Sequence, residues 1–166
     1  IINIVSEVRK NNEHVHLHIV GAVDHLHMEY VQFIEKLCSQ NKEWCFFEGK
    51  MENEKKMDFL SKHKYGISGC VNEAFGIAVA EMIKTGCIVF VPNGGGQVEI
   101  VNQSDLIYDD PEDAVVKIIN VLRDKDIQMK LHQYLLKQSQ KFSVDNFKYS
   151  INKVINDFLK QNNANN

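Results

Sequence analysis

The sequence predicts an α/β fold in which a parallel sheet is flanked by helices and followed by a helical C-terminal segment. Short apolar or β-branched runs, typical of strands, alternate with segments whose apolar residues recur every three or four positions, as in helices. This alternation favours parallel strands joined by right-handed crossovers, with helices on both faces of the sheet. The 166 residues are enough for one domain and its core.

Five runs bounded by polar residues or glycine are predicted to be strands: residues 14–20, 44–47, 65–68, 87–91 and 106–108. Helical periodicity predicts helices over 1–10, 28–40, 53–63, 75–84, 112–123, 126–140 and 144–160. A sheet of this kind normally begins with a strand, whereas this sequence begins with a helical pattern. We therefore expect one domain over residues 1–160 that lacks its first strand because the sequence is part of a longer polypeptide. A polar tail is expected over 161–166.

Composition and charge exclude several classes of protein. Hydrophobic residues make up 44% and charged residues 25%, which is typical of a folded globular protein and not of a disordered chain. The net charge of -3 comes from basic and acidic residues mixed along the chain, so we expect neither nucleic acid nor anionic lipid as a partner. No apolar run approaches the roughly 20 residues that cross a bilayer.

The four cysteines, Cys38, Cys45, Cys70 and Cys87, form no C-x-x-C pair, and three of them lie in or beside apolar runs. This spacing indicates buried free thiols rather than zinc or redox chemistry. We therefore expect a cytoplasmic protein. Association with the cytoplasmic face of a membrane would depend on parts outside this sequence.

The segment from Ser68 to Glu81 has the pattern of an anion site between two carboxylates. A short strand ends in a loop of small residues and a helix follows, and ligands of open α/β sheets bind at such strand ends. Free N–H groups of Phe75 to Ala78 and the helix dipole suit a phosphate. Glu73 and Glu81 lie on either side. Because carboxylates repel phosphate but accept hydrogen bonds from neutral groups, these two suit the hydroxyls of a sugar or ribose.

A simpler interpretation stays open from the residues alone. Glu73 would then be a first-turn residue that favours the helix dipole, and Glu81 a solvated position on an amphipathic helix. The apolar neighbours of Glu81, among them Val79 and Met82, favour the functional interpretation, because a charge in such a stretch usually has a partner. Gly94 to Gly96 likewise either bring the backbone close to a ligand or form an ordinary flexible turn.

The remaining clusters are interpreted as structural. Three histidines would share one face of the first strand: His14, His16 and His18. No carboxylate or cysteine set completes a metal site with them, so we expect no metal. His25 and His27 are interpreted as a solvated loop. The lysines within residues 50–64, including Lys55 and Lys56, are interpreted as an exposed helix face of mixed charge.

Two longer segments resemble a known family. E-A-F-G-I-A-V-A-E-M over 73–82 and G-C-I-V-F-V-P-N-G-G-G-Q-V-E-I-V over 86–101 resemble the group 1 (family 4) retaining glycosyltransferases. The family pattern of two glutamates separated by seven residues matches Glu73 and Glu81, and its Gly-Gly-x-x-Glu pattern matches Gly95 to Glu99. Weaker similarity covers most of the chain, including the strand that ends at Gly21 and the strand from Phe46 to Gly49.

The resemblance implies the C-terminal, Rossmann-like half of the two-domain GT-B architecture, which binds the donor. It implies that Glu73 is the catalytic residue, in contact with the hydroxyls of the donor sugar, and that Glu81 accepts from the ribose. The other donor-binding residues that it implies are Phe75, Gly76 and Ile77 near the sugar and diphosphate, Gly49, Lys50 and Met51 near the base, and Gly95 and Gly96.

The implied activity is transfer of a hexose from a nucleoside-diphosphate sugar to an acceptor hydroxyl, with retention at the anomeric carbon. The acceptor, a glycan, a lipid or another hydroxyl compound, would be bound by an N-terminal domain outside this sequence. The family's diphosphate-binding Arg and Lys lie upstream of the segment that matches Ile1 to Lys10 and are absent here, so we expect this chain alone to be inactive. The resemblance implies no cofactor and no metal.

Two alternatives remain beside this activity. One is a sugar-nucleotide epimerase of GT-B-like architecture, and the other is a non-catalytic module that binds nucleotide sugars. The segment Asn72 to Ile77 also resembles the mannosyltransferases of eukaryotic and archaeal type, which bears on the donor sugar.

Overall fold

The strands lie in two parallel sheets. The structure is a computed structural model that describes residues 1–23 and 25–163. One sheet pairs β1 (Leu17–Val20) with β2 (Cys45–Gly49), and the other orders β3 (Tyr65–Ile67), β4 (Ile88–Pro92) and β5 (Ile107–Tyr108) with β4 in the centre. The predicted α/β class with parallel strands is confirmed. Within the described ranges no strand pairs with both β1 and β3, so two sheets stand where the sequence predicted one.

The helices follow the predicted order. They are α1 (Ile2–Arg9), α2 (Met28–Gln40), α3 (Asn53–Ser61), α4 (Ile77–Lys84), α5 (Gln97–Val101), α6 (Pro111–Arg123), α7 (Lys125–Gln140) and α8 (Val144–Asn163). An aspartate side chain caps the N-terminus of α6 and of α7. Asp110 accepts from the N–H of Asp113 at 2.8 Å, and Asp124 accepts from the N–H of Ile127 at 3.0 Å. Such caps satisfy backbone donors that have no partner inside the helix.

Several boundaries differ from the prediction for local reasons. The helix predicted over 75–84 begins only at Ile77, because Gly76 has a left-handed φ of 101° that an α-helix excludes. The first strand begins at Leu17, because the preceding residues turn back onto α1 with the N–H of Asn12 donating to the carbonyl of Val8. The short helix α5 was not predicted. Helix α8 extends into the predicted polar tail, of which residues 164–166 lie outside the described residues.

Two clusters of buried side chains hold the elements together. The large core surrounds β4, whose five residues are all buried, and includes Val8, Ile83 and Leu135. The small core joins α1 and α2 to the two-stranded sheet through Ile2, Val5, Leu17, Cys38, Trp44 and Cys45. Ile67 packs against both cores. Helix α4, which follows the predicted anion site, therefore rests on the large core.

Three of the four cysteines are buried free thiols, as their spacing predicted. Cys38, Cys45 and Cys87 are buried, Cys70 is exposed, and all four are free. Burial, with a smaller contribution from the neighbouring Cys38, raises the pKa of the Cys45 thiol to about 12. This thiol therefore stays protonated at neutral pH, and the thiolate is the reactive form. No helix of the described part of the chain has the length and hydropathy that a membrane crossing requires.

Candidate functional site

The loop between β3 and α4, residues 68–76, leaves the carboxyl end of its strand and is anchored to β4 and to β5. The N–H of Ser68 donates to the carbonyl of Phe90 on β4 at 2.9 Å, and the hydroxyl of Tyr108 on β5 donates to the carbonyl of Ser68. Burial raises the pKa of Tyr108 to about 12, so its hydroxyl keeps the proton that it donates. The loop therefore starts from a defined position.

Glu73 folds back onto the turn that precedes α4. Its Oε1 accepts from the N–H of Phe75 at 3.4 Å and from the N–H of Gly76 at 3.2 Å. These donors orient the half-buried carboxylate at the start of the helix. The prediction that the N–H groups of Phe75 and Gly76 are free for a phosphate is therefore wrong, because Glu73 accepts from both. Within the described residues its Oε2 takes part in no hydrogen bond, so one oxygen remains available to a donor from outside the chain.

The first turn of α4 presents free backbone donors. The N–H groups of Ile77, Ala78 and Val79 have no helical carbonyl to bond, and in the described residues no side chain caps this helix. Ile77 is 67% exposed, so solvent reaches the helix end. Such an end attracts anions, because the helix dipole places a partial positive charge there.

Glu81 has a partner that the sequence did not indicate. It is the fifth residue of α4, and its Oε1 accepts from Nζ of Lys56 on α3 at 2.7 Å. The side chains of Lys56 and Glu81 are only 23% and 27% exposed. The prediction that Lys56 belongs to an exposed helix face is therefore wrong. The apolar surroundings of Glu81 gave a signal that it has a partner, but nothing in the sequence named the partner.

The glycine loop packs against the loop that carries Glu73. The N–H of Gly96 donates to the carbonyl oxygen of Glu73 at 2.8 Å. Gly95 has a φ of 68°, and a Cβ atom there would collide with the same carbonyl oxygen. A Cβ atom at Gly94 would collide with the carbonyl of Val71. The glycines thus permit a close approach to protein backbone, whereas the sequence suggested a ligand as the neighbour. Binding of the donor by Gly95 and Gly96 stays a prediction.

Gln97 ties these two loops together and was missed at the sequence level. Its side chain is fully buried, and its Nε2 donates to the carbonyls of Cys70 and Gly94. Its Oε1 is the buried side-chain polar atom of the described residues that has no hydrogen-bond partner. A glutamine directly after three glycines was the signal available, but its burial depends on how the two loops pack.

The segment predicted to lie near the base stands at the carboxyl end of β2. Gly49 has a φ of 68°, and its carbonyl accepts from the N–H of Gly21 at the end of β1 at 3.0 Å. Lys50 is exposed and Met51 is half-buried. This segment belongs to the two-stranded sheet. The Lys56 to Glu81 ion pair connects the helix that follows it to α4.

The histidines do not form the strand face that the sequence predicted. His14 and His16 precede β1, and only His18 lies within it, with Nδ1 2.8 Å from Oε1 of Glu48. No group of three or more histidine, cysteine, aspartate or glutamate side chains in residues 1–23 and 25–163 is arranged to hold a metal. The short turn His25–His27 leads into α2, and the side chain of His25 lies outside the described part.

Comparison with known proteins finds one family and a set of similar folds. The model of the family described as glycosyl transferases group 1 matches residues 1–142. A crystal structure of the Anabaena protein HepE in complex with UDP superposes with a TM-score of 0.79 at 15% sequence identity, over 93% of this chain and 44% of that one. A comparison with curated proteins finds no match.

Two further structures give the same result. Sucrose-phosphate synthase from Thermosynechococcus elongatus has a TM-score of 0.77 at 16% identity and covers 96% of this chain and 42% of its own. A glycosyltransferase from Rickettsia africae has a TM-score of 0.76 at 18% identity and covers 96% and 44%. The chain thus spans less than half the length of these proteins.

Proposed function

Because this chain belongs to the group 1 glycosyltransferase family and has the fold of one GT-B half, we propose that it binds the donor of a retaining glycosyltransferase. The donor is a nucleoside-diphosphate sugar, and a hexose is transferred from it to an acceptor hydroxyl. The observation that carries the proposal is the β3–α4 junction, where the free amides of Ile77 to Val79 stand in the chain between two carboxylates that are each held by hydrogen bonds. The UDP bound in the Anabaena structure supports a nucleotide of this class.

The diphosphate binds at the start of α4 in this proposal. The N–H groups of Ile77, Ala78 and Val79 donate to its oxygens, and the helix dipole contributes the equivalent of roughly half a positive charge at that end. When the bond to the sugar breaks, negative charge grows on the leaving diphosphate. Donors that already point at this position stabilise the charge without reorganisation. Neither a cofactor nor a metal is part of the proposal.

The two glutamates recognise the hydroxyls on either side of the diphosphate. Oε2 of Glu73 accepts from a hydroxyl of the donor sugar, while the N–H groups of Phe75 and Gly76 hold its Oε1. Oε2 of Glu81 accepts from the ribose, while Lys56 holds its Oε1. In both residues one oxygen orients the group and the other binds, which limits the rotamer entropy that binding removes.

The remaining residues complete the donor site. Gly49, Lys50 and Met51 contact the base at the end of β2. Gly95 and Gly96 complete the site beside Glu73, whose loop they contact directly. The acceptor, a glycan, lipid or other hydroxyl compound, binds to an N-terminal domain, and catalysis takes place when the two halves close around both substrates. The chain over residues 1–166 alone therefore binds the donor weakly and transfers nothing.

Titration of the full-length protein with UDP, GDP and ADP and with their sugars tests the proposal. We expect Glu81→Gln to weaken nucleotide binding by about tenfold or more, because a hydrogen bond to a charged group is lost. Glu73→Gln should lower the rate of transfer and leave binding of the nucleoside diphosphate unchanged. Glu112→Gln, at an exposed position of α6, is the matched control.

Three results would contradict this assignment. Failure of every nucleoside diphosphate to bind the full-length protein would refute donor binding and indicate a protein that shares only the fold of these enzymes. Wild-type transfer kinetics in both glutamate variants would remove the residue roles. Epimerised sugar formed in the absence of any acceptor would favour the epimerase alternative.

A further inference from the structure

The ion pair between Lys56 and Glu81 differs from the other lysine pairs. Lys10 with Glu7, Lys62 with Asp58 and Lys117 with Asp113 each lie three or four residues apart. Lys56 and Glu81 are 25 residues apart. Among the lysine–carboxylate pairs of the described residues, theirs alone joins two different helices. A pair of this kind fixes the position of one helix side chain relative to another element.

The pair is also specific in which oxygen it uses. Nζ of Lys56 binds Oε1 of Glu81 at 2.7 Å. No hydrogen bond within the described ranges involves Oε2 of Glu81. Both side chains are about three-quarters buried, so their rotamers are restricted by neighbouring atoms and by each other. The arrangement leaves one carboxylate oxygen orientated and unoccupied.

We propose that Lys56 is a positioning residue for ribose recognition. By binding Oε1, it holds Glu81 in the rotamer in which Oε2 accepts from a ribose hydroxyl. The inference rests on the proposed function and adds a residue to it. The physical gain is preorganisation, because the rotamer entropy of the glutamate side chain is lost before the ligand binds and does not oppose binding.

A purely structural role for the pair makes a different prediction. Partly exposed ion pairs stabilise proteins only weakly, and a tie between α3 and α4 would affect every ligand of the site equally. A positioning role affects only ligands that carry the ribose hydroxyls. The ratio of affinities for ligands with and without these hydroxyls therefore separates the two roles. This ratio also cancels any effect of the lysine charge on the diphosphate.

The experiment measures dissociation constants by titration calorimetry on the full-length protein, with UDP and 2′,3′-dideoxy-UDP and with the corresponding guanosine pair. We expect Lys56→Met to reduce the preference for the ribose form by about three- to tenfold, the range of a typical single hydrogen bond. Lys56→Arg should restore most of the preference. Lys55→Met, at the exposed neighbouring position, should bind like the wild type.

A Glu81→Gln background completes the test. There, Lys56→Met should cause no further loss of preference, since the two residues act through one contact. An unchanged ratio in Lys56→Met, measured on protein whose circular dichroism matches the wild type, overturns the inference while leaving the proposed function intact. If Lys56→Met does not fold, Lys56→Gln is measured in its place. A wild-type protein that binds neither nucleotide overturns both proposals.

Discussion

The region around the three-stranded sheet buries more side chains than the region around the two-stranded sheet. Around β4 the large core includes Val89 and Val91 with no exposed surface, and helices α4, α6 and α7 contribute to it. The small core around β1 and β2 has fewer members, and Leu17 and Trp44 in it are 8% exposed. Local opening requires least free energy where few apolar contacts are lost. The proposed diphosphate site therefore lies in the region of the large core, which should open less readily, and the proposed base segment lies in the region of the small core.

The division of the sheet reinforces this contrast. Each of β1 and β3 has an edge that pairs with no strand of the described residues. Val15 and Ile67 pack against both cores and connect the halves through side chains. The proposed donor site therefore spans two sheets that are joined by side-chain packing and not by a hydrogen-bonded ladder.

The largest expected effect is the loss of stability caused by a substitution in the large core. Ile83→Ala removes a side chain of α4 that is 1% exposed, and we expect a loss of about 4 kcal/mol in the free energy of unfolding, because the cavity is enclosed on all sides. Leu17→Ala in the small core should cost only about 2 kcal/mol, since Leu17 is 8% exposed and fewer buried side chains surround it. Urea denaturation of both variants measures the difference. Val116→Ala, which is 56% exposed, is the control, and equal losses at Ile83 and Leu17 would refute the comparison.

Intermediate effects come from glycines with positive φ at the two ends of the site. Gly95→Ala combines a φ of 68° with a collision against the carbonyl of Glu73, whereas Gly49→Ala has the same φ and no atom within 4 Å. We expect a loss of about 2–3 kcal/mol at Gly95 and about 1 kcal/mol at Gly49. Gly21→Ala, which has neither strain nor a close neighbour, should be neutral. Thermal denaturation of the three variants gives the order, and a larger loss at Gly49 than at Gly95 would show that the loops can separate without cost.

The smallest effect is a pH dependence of the small core, which amounts to about 1.4 kcal/mol at pH 10. Burial raises the pKa of Cys45 from 9.0 to about 12. Below about pH 9 the thiol is protonated in both states and contributes no pH dependence. Between about pH 9 and 12 the unfolded chain releases the proton and the folded chain retains it, so stability falls as the pH rises. Urea denaturation at several alkaline pH values should show a shallower fall in Cys45→Ala than in the wild type, with Cys70→Ala unchanged. If the free energy of unfolding falls equally with pH in Cys45→Ala and in the wild type, ionisation of this thiol does not cause the alkaline loss of stability.

Much of this structure follows from local sequence. Hydrophobic periodicity determined the order of strands and helices, since it reflects only which face of each element is buried. The aspartates at 110 and 124 determined where α6 and α7 begin, since capping is an interaction within four residues. The pattern around Glu73 likewise placed a helix end beside a carboxylate, because those residues are neighbours in the chain.

Contacts between distant residues required the tertiary structure. The sequence contains Lys56 and Glu81, but only the packing of α3 on α4 brings their charges within 2.7 Å. The same holds for Gln97, which is buried because two loops meet, and for the division of the strands into two sheets. Periodicity and capping depend on residues that are near neighbours in the chain, so the sequence by itself determines them. Pairing of distant side chains depends on helix crossing angles and strand register, which exist only once the elements have packed.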